Sequence, residues 1–177
     1  MSIRGYFCYN DCMKKIEELT KDIIQTLASE KRSITFAESC TGGRIAATFT
    51  AIPGASEVLN GACITYSNKI KTQWLGVEEE ILLTEGAVSQ ACVDQMLSGI
   101  IKMANADYAI AVSGIAGPGG GTPLKPVGTV FIGISTPSQK EIFHCHFSGD
   151  REQIQQSSVD FAITQLAKFL LLYSRNE

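Results

Sequence analysis

The spacing of apolar positions changes several times along the chain, and each change marks an element. Ile16, Leu19, Ile23, Ile24 and Leu27 stand opposite Lys14, Glu18 and Asp22, a 3.6-residue period that predicts a helix over Met13–Glu30. Ser33–Ala37 follows as a short β-branched and aromatic strand. Gly42-Gly43 then open a small-residue helix to about Thr50, stopped by Pro53-Gly54. Gly61–Tyr66 reads as a second strand and Asn68–Leu75 as a short helix ended by Gly76. Over Ser89–Ala104 one stripe runs Val93, Met96, Leu97, Ile100, Ile101 and Ala104, with Ser89 as N-cap.

Tyr108–Val112 is almost wholly apolar, which suits a central strand covered on both faces. A Gly/Pro-rich loop, Gly114–Gly128, separates it from Val130–Ile134 and Glu141–Phe147, two strands joined by Thr136–Gln139 as a hairpin. Asp150 caps a last helix with the stripe Ile154, Phe161, Ala162, Leu166, Phe169, Leu170 and Tyr173. Helices alternate with strands and one hairpin intrudes. The expected fold is therefore α/β, a three-layer α/β/α sandwich whose mixed, mostly parallel sheet has about five strands.

A chain of 177 residues fits one such domain. The formal charge of −3, with no basic cluster beyond Lys14-Lys15 and Lys31-Arg32, argues against nucleic acid as a partner. No apolar run is long enough for a membrane span, and Met1–Cys12 has no signal-peptide core, so the expected location is the cytoplasm. The cysteines at 8, 12, 40, 63, 92 and 145 form no pair of C-x-x-C units, and His144 and His146 share a strand face with no third ligand. Neither a metal nor a cofactor is expected.

Three segments could carry chemistry. Ala37–Arg44 places Glu38, Ser39, Cys40 and Thr41 between a strand and the two glycines of a helix start. Free N–H groups there could receive an oxyanion or a phosphate, and a serine beside them could act as a nucleophile. An N-cap in a tight turn is the plainer reading. Thr65–Lys71 follows the second strand; if that strand parallels the first, both open on the same sheet edge, where Lys69 or Lys71 could reach Ser39 as a base. Ser113–Gly121 matches neither a P-loop nor a dinucleotide fingerprint, yet suits a loop that encloses a ligand. Arg151, opening the last helix, could meet a phosphate.

Taken together, Ala37-Glu38-Ser39-Cys40-Thr41-Gly42-Gly43, Thr65-Tyr66-Ser67-Asn68 with Lys71, Gly86-Ala87-Val88-Ser89, Ser113-Gly114-Ile115-Ala116-Gly117-Pro118, Lys125-Pro126-Val127-Gly128 and Phe147-Ser148-Gly149-Asp150-Arg151 form a specific pattern. From about Met13 to Leu172 the chain resembles the CinA C-terminal domain family, whose characterised members include nicotinamide-nucleotide amidohydrolases. The resemblance implies hydrolysis of nicotinamide mononucleotide to nicotinate mononucleotide and ammonia, in pyridine-nucleotide recycling. It implies Ser39 as nucleophile and Lys71, rather than Lys69, as base, with Tyr66 close to both. Thr41, Gly42, Gly43, Asn68, Gly114, Gly117 and Arg151 are the expected substrate-binding residues.

The domain is expected over residues 13–177, behind an extension at 1–12 whose Tyr6, Phe7 and Tyr9 would dock it on the domain or on a second subunit of a homodimer. Many family members carry a larger N-terminal domain, and pyrophosphatase activity associated with it is not expected of these residues. The rival expectation is a binding module, a nucleotide sensor or competence/damage-associated protein that keeps the pocket without turnover.

Overall fold

The computed structural model describes the backbone of residues 3–173 and the side chains of residues 15–170. In chain order the elements are α1 (Ile3–Ser29), β1 (Ile34–Glu38), α2 (Arg44–Thr50), β2 (Leu59–Ile64), α3 (Asn68–Leu75), α4 (Glu79–Thr84), α5 (Gln90–Ala104), β3 (Tyr108–Gly114), β4 (Thr129–Ser135), β5 (Lys140–His146) and α6 (Arg151–Tyr173), with a single 3₁₀ turn at Ala55–Glu57. The first helix thus starts ahead of the expected Met13. The docking expected of Tyr6, Phe7 and Tyr9 lies outside the described side chains.

The five strands form one sheet in the order β2-β1-β3-β4-β5. β1 pairs parallel with both β2 and β3, while β4 is antiparallel to β3 and to β5. Only β4 therefore runs against the others, and the β4–β5 hairpin supplies the antiparallel part as expected. Tyr108–Val112 does form the middle strand.

Alternation along the strands sorts the core into two layers. Ile34, Phe36, Ile110, Val112, Ile132 and Ile134 pack with α1, α2 and α6 on one face. Ala37, Ala109, Ala111 and Phe131 face α5 and the α3–α4 segment on the other. Period-two side chains on a sheet covered on both sides produce this division. The caps follow the sequence. Ser89 Oγ accepts from Cys92 N, and Asp150 and Gln153 exchange side-chain-to-backbone bonds of 2.9 and 2.8 Å in a reciprocal box at the start of α6.

The topology positions the site. From β1 the chain moves outward to β2, then crosses back over the other face to β3 on the far side of β1. Strand order reverses at β1, and the parallel β1, β2 and β3 all end on one edge. Ligands of open α/β sheets bind at such a reversal, beyond the carboxyl ends of the strands.

Candidate active site

Ser39 follows the last residue of β1, and Lys71 closes the first turn of α3. Lys71 Nζ donates to Ser39 Oγ at 3.0 Å and to the Thr65 carbonyl at 2.5 Å. The side chain of Lys71 is fully buried, and among the described residues no carboxylate hydrogen-bonds it. Burial pushes its ammonium below the ordinary lysine value, an effect that the partial charges of Cys92, Cys40 and Cys63 only temper. The result is an amine held against a hydroxyl at hydrogen-bond distance. Lys69, two residues away and so roughly 200° around the helix, is exposed and lines a separate hollow with Asn68, Thr72 and Glu79.

Ser39 has a competitor beside it. Cys40 is the stronger nucleophile as a thiolate, but burial pushes its thiol up to about 12, so it stays protonated near neutrality. The turn itself is pinned from α6, where Gln155 Nε2 donates to the Cys40 carbonyl at 2.6 Å.

The start of α2 departs from expectation. Gly42 and Gly43 lie outside the helix, at φ 64° and 93°, a left-handed region that glycine enters without a Cβ clash. Their N–H groups, expected to be open to an anion, are committed: Gly42 donates to the Ser39 carbonyl and Gly43 to the Glu38 carboxylate. Glu38, almost completely buried, also accepts from Ile45 N, Ala46 N and Thr41 Oγ1, so Thr41's hydroxyl too is engaged away from the cleft. Among the described residues the Thr41 N–H donates to no carbonyl or side chain, while the Cys40 N–H lies against its own thiol. An acidic residue next to a helix start was the visible signal for this role, but Glu38 reads as a strand residue.

A cleft of about 180 Å³ opens over the pair, lined by Ser39, Cys40, Tyr66, Lys71, Ala87, Val88, Ser113, Gly114, Ala116 and Arg151. Tyr66 is 62% exposed at the rim. Arg151 donates to Tyr66 Oη at 3.0 Å and to the Gly117 carbonyl at 2.8 Å, so it ties the α6 start, the β2–α3 connection and the glycine-rich loop together. Of the expected site residues, Ser39, Tyr66, Lys71, Gly114 and Arg151 share this cleft, with Gly117 joined through Arg151. Thr41, Gly42 and Gly43 shape the turn beneath it. Asn68 does not line it, because as the first residue of α3 it faces the hollow beside Lys69.

Sequence reasoning missed the far wall. Ala87 and Val88 are held there by Ser113 Oγ, which donates to the Ala87 carbonyl at 2.7 Å, and by Lys125 Nζ, which donates to the carbonyls of Glu85 and Val88 at 2.6 and 2.7 Å. Lysine 125 in the closing segment of the loop was its signal. Larger hollows of about 580 and 440 Å³ lie elsewhere on the surface, yet neither contains a nucleophile beside a base.

Residues 16–170, the span that builds this sheet edge and its cleft, match the CinA C-terminal domain. The chain belongs to that family. It is 47% identical over 154 residues to a CinA-like protein of Syntrophotalea carbinolica, covering 87% of this chain and 37% of the relative. With a CinA-like protein of Thermotoga maritima it shares 43% over 166 residues, 94% of this chain and 40% of the relative. The chain thus spans about two-fifths of the length of these CinA-like proteins. A crystal structure of the competence damage-inducible protein A of Klebsiella pneumoniae superimposes with a TM-score of 0.85 at 38% identity, over 88% of this chain and 97% of that one. Among the described residues no helix is long and apolar enough to cross a membrane.

Proposed function

We propose that this chain is a serine amidohydrolase that converts nicotinamide mononucleotide to nicotinate mononucleotide and ammonia. The observation that carries the reading is the buried contact between Lys71 Nζ and Ser39 Oγ beneath an open cleft. A lysine whose charge is disfavoured by burial is a competent base near neutral pH. In its neutral form the amine receives the Ser39 hydroxyl proton, while the Thr65 carbonyl holds it in register.

Ser39 Oγ then bonds to the carboxamide carbon, and the carbonyl oxygen becomes an oxyanion. The N–H groups of Cys40 and Thr41, which no carbonyl or carboxylate accepts from, are the donors suited to that charge, since the residue after a nucleophile commonly supplies one. Collapse breaks the C–N bond, and protonated Lys71 returns its proton to the departing nitrogen, releasing ammonia. Water, activated by the same amine, cleaves the acyl-serine to the carboxylate and restores Ser39.

The size of the cleft bears on the substrate. At about 180 Å³ it is smaller than the roughly 300–1,000 Å³ of sites that enclose a drug-sized ligand. A pyridine carboxamide suits the enclosed part, and the ribose phosphate would extend across the rim, where Arg151 carries the cleft's exposed positive charge. Recycling of pyridine nucleotides in the cytoplasm, by a homodimer, belongs to the same proposal.

Ammonia release, followed for purified protein with nicotinamide mononucleotide, the corresponding riboside and nicotinamide, tests it. Turnover of the mononucleotide ahead of the other two supports the proposal. Tight binding of the nucleotide without ammonia would instead establish the sensor reading.

A further inference from the structure

Glu38 carries a buried carboxylate that the chemistry above does not use. One of its oxygens, Oε2, accepts from Thr41 Oγ1 at 2.7 Å, Gly43 N at 3.0 Å and Ile45 N at 3.2 Å, and Oε1 accepts from Ala46 N at 2.9 Å. It is 1% exposed, and among the described residues no Lys or Arg forms an ion pair with it. Its counter-charge is the N-terminal end of α2, whose donors would otherwise be unpaired. The backbone of the same residue matters as much. The Glu38 carbonyl accepts from Thr65 N at 2.8 Å, the Thr65 carbonyl accepts from Lys71 Nζ, and Lys71 reaches Ser39, the residue bonded to Glu38. Residues 38, 39, 71 and 65 therefore close a ring.

We propose that Glu38 is a positioning residue: its carboxylate seals the N-terminus of α2 and locks the Ser39–Gly43 turn so that Ser39 Oγ faces Lys71. This rests on the Ser39–Lys71 reading above. The requirement for a carboxylate follows from donor counting. Four donors converge on the two oxygens, and a carboxylate is acceptor-only. An amide must turn its NH₂ toward at least one of them, either Ala46 N or the three-donor cluster. A carboxylate that only stabilised the fold would leave the reactivity of a folded variant unchanged.

The test compares Glu38→Gln, Glu38→Asp and Thr41→Val with the wild type in four readouts: kcat, KM, the rate of Ser39 labelling by a fluorophosphonate, and the thermal midpoint. Misplacement of a nucleophile on the ångström scale costs up to about a hundredfold in rate. Glu38→Gln should therefore lower kcat and the labelling rate by about ten- to a hundredfold, with KM within about threefold. Glu38→Asp, which keeps the charge on a shorter arm, should recover part of that loss. Labelling and kcat equal to wild type in a folded Glu38→Gln variant would overturn the positioning role. If Glu38→Gln fails to fold, Thr41→Val decides, because it keeps the carboxylate with its backbone donors and removes the shortest of its ties to the turn. Slower labelling of that variant supports the proposal and an unchanged rate overturns it. A wild type that neither turns over nor labels would overturn the nucleophile reading, and this proposal with it. A labelled wild type with an equally labelled Glu38→Gln variant defeats only the positioning role.

Discussion

Ser39 and Lys71 are 32 positions apart in the chain and 3.0 Å apart in space, one leaving the end of a central strand and the other reaching in from the opposite helical layer. Nothing else in the described cleft offers a nucleophile in contact with a base. The pair depends on β1 and β2 running parallel, because that alone brings the β2–α3 connection to the edge where Ser39 emerges.

Removing the proposed nucleophile should separate binding from chemistry. Ser39→Ala should lower kcat on the order of 10³–10⁶-fold, as loss of an activated serine does elsewhere, while nucleotide affinity by calorimetry stays close to wild type. Near-normal ammonia release from this variant would exclude Ser39.

Lys71 links activity to stability, and its two pH signatures can be separated. As a base it must be neutral, so kcat should rise with pH through its folded value, on the acid side of 10.5. Because that folded value is depressed, the unfolded chain binds more protons in the window between the folded value and 10.5, and wild-type stability climbs with pH across it. Lys71→Met removes the buried charge. It should cost about 10²–10⁴-fold in kcat, yet raise the thermal midpoint at neutral pH, by an amount that shrinks as pH approaches 10.5. Melting curves of both proteins at several pH values check the sign.

Arg151 should matter in proportion to the negative charge on the substrate. Losing a hydrogen-bonded cation costs about 1.5–3 kcal/mol. Arg151→Ala should accordingly raise KM for the mononucleotide by roughly ten- to a hundredfold, and leave KM for the riboside nearly unchanged. Arg151→Lys should not rescue it fully, because a single ammonium cannot reproduce the fork that bonds Gly117 and Tyr66 together. Equal losses on both substrates would show that Arg151 supports the loop rather than the phosphate.

Gly99 tests whether α3 must lie where it does. A Cβ at this α5 position would run into the Leu75 carbonyl at the end of α3, one turn beyond Lys71. Alanine normally gains about 1 kcal/mol over glycine in a helix, but here the clash is with backbone and should outweigh the gain. Gly99→Ala is expected to destabilise by about 1–3 kcal/mol and to lower kcat as α3 shifts. Chemical denaturation and turnover on the same sample measure both.

The sequence by itself determined the elements whose stabilising contacts repeat along the chain. The stripes of α5 and α6, the apolar run of β3 and the β4–β5 hairpin were all legible, because period and turn chemistry are local properties. α4 was not. Its six residues, with Leu83 almost fully exposed, are too short to set a period, and the helix holds its place through Leu82 against α5. The site divides in the same way. The residues Ser39, Lys71, Gly114 and Arg151 stood out as strand ends, glycines and charges, but composition could not rank Lys71 over Lys69. That choice came from a family pattern and is visible in space as one side chain buried and the other in solvent. Tertiary structure alone decided what the helix start of α2 would hold. Its free donors looked ready for a ligand, and the fold instead delivers to them the carboxylate of Glu38, placed there by a strand end and a left-handed turn at Gly42-Gly43. A charge read from sequence has no direction; the backbone supplies one, and only then does it become clear which donors it occupies.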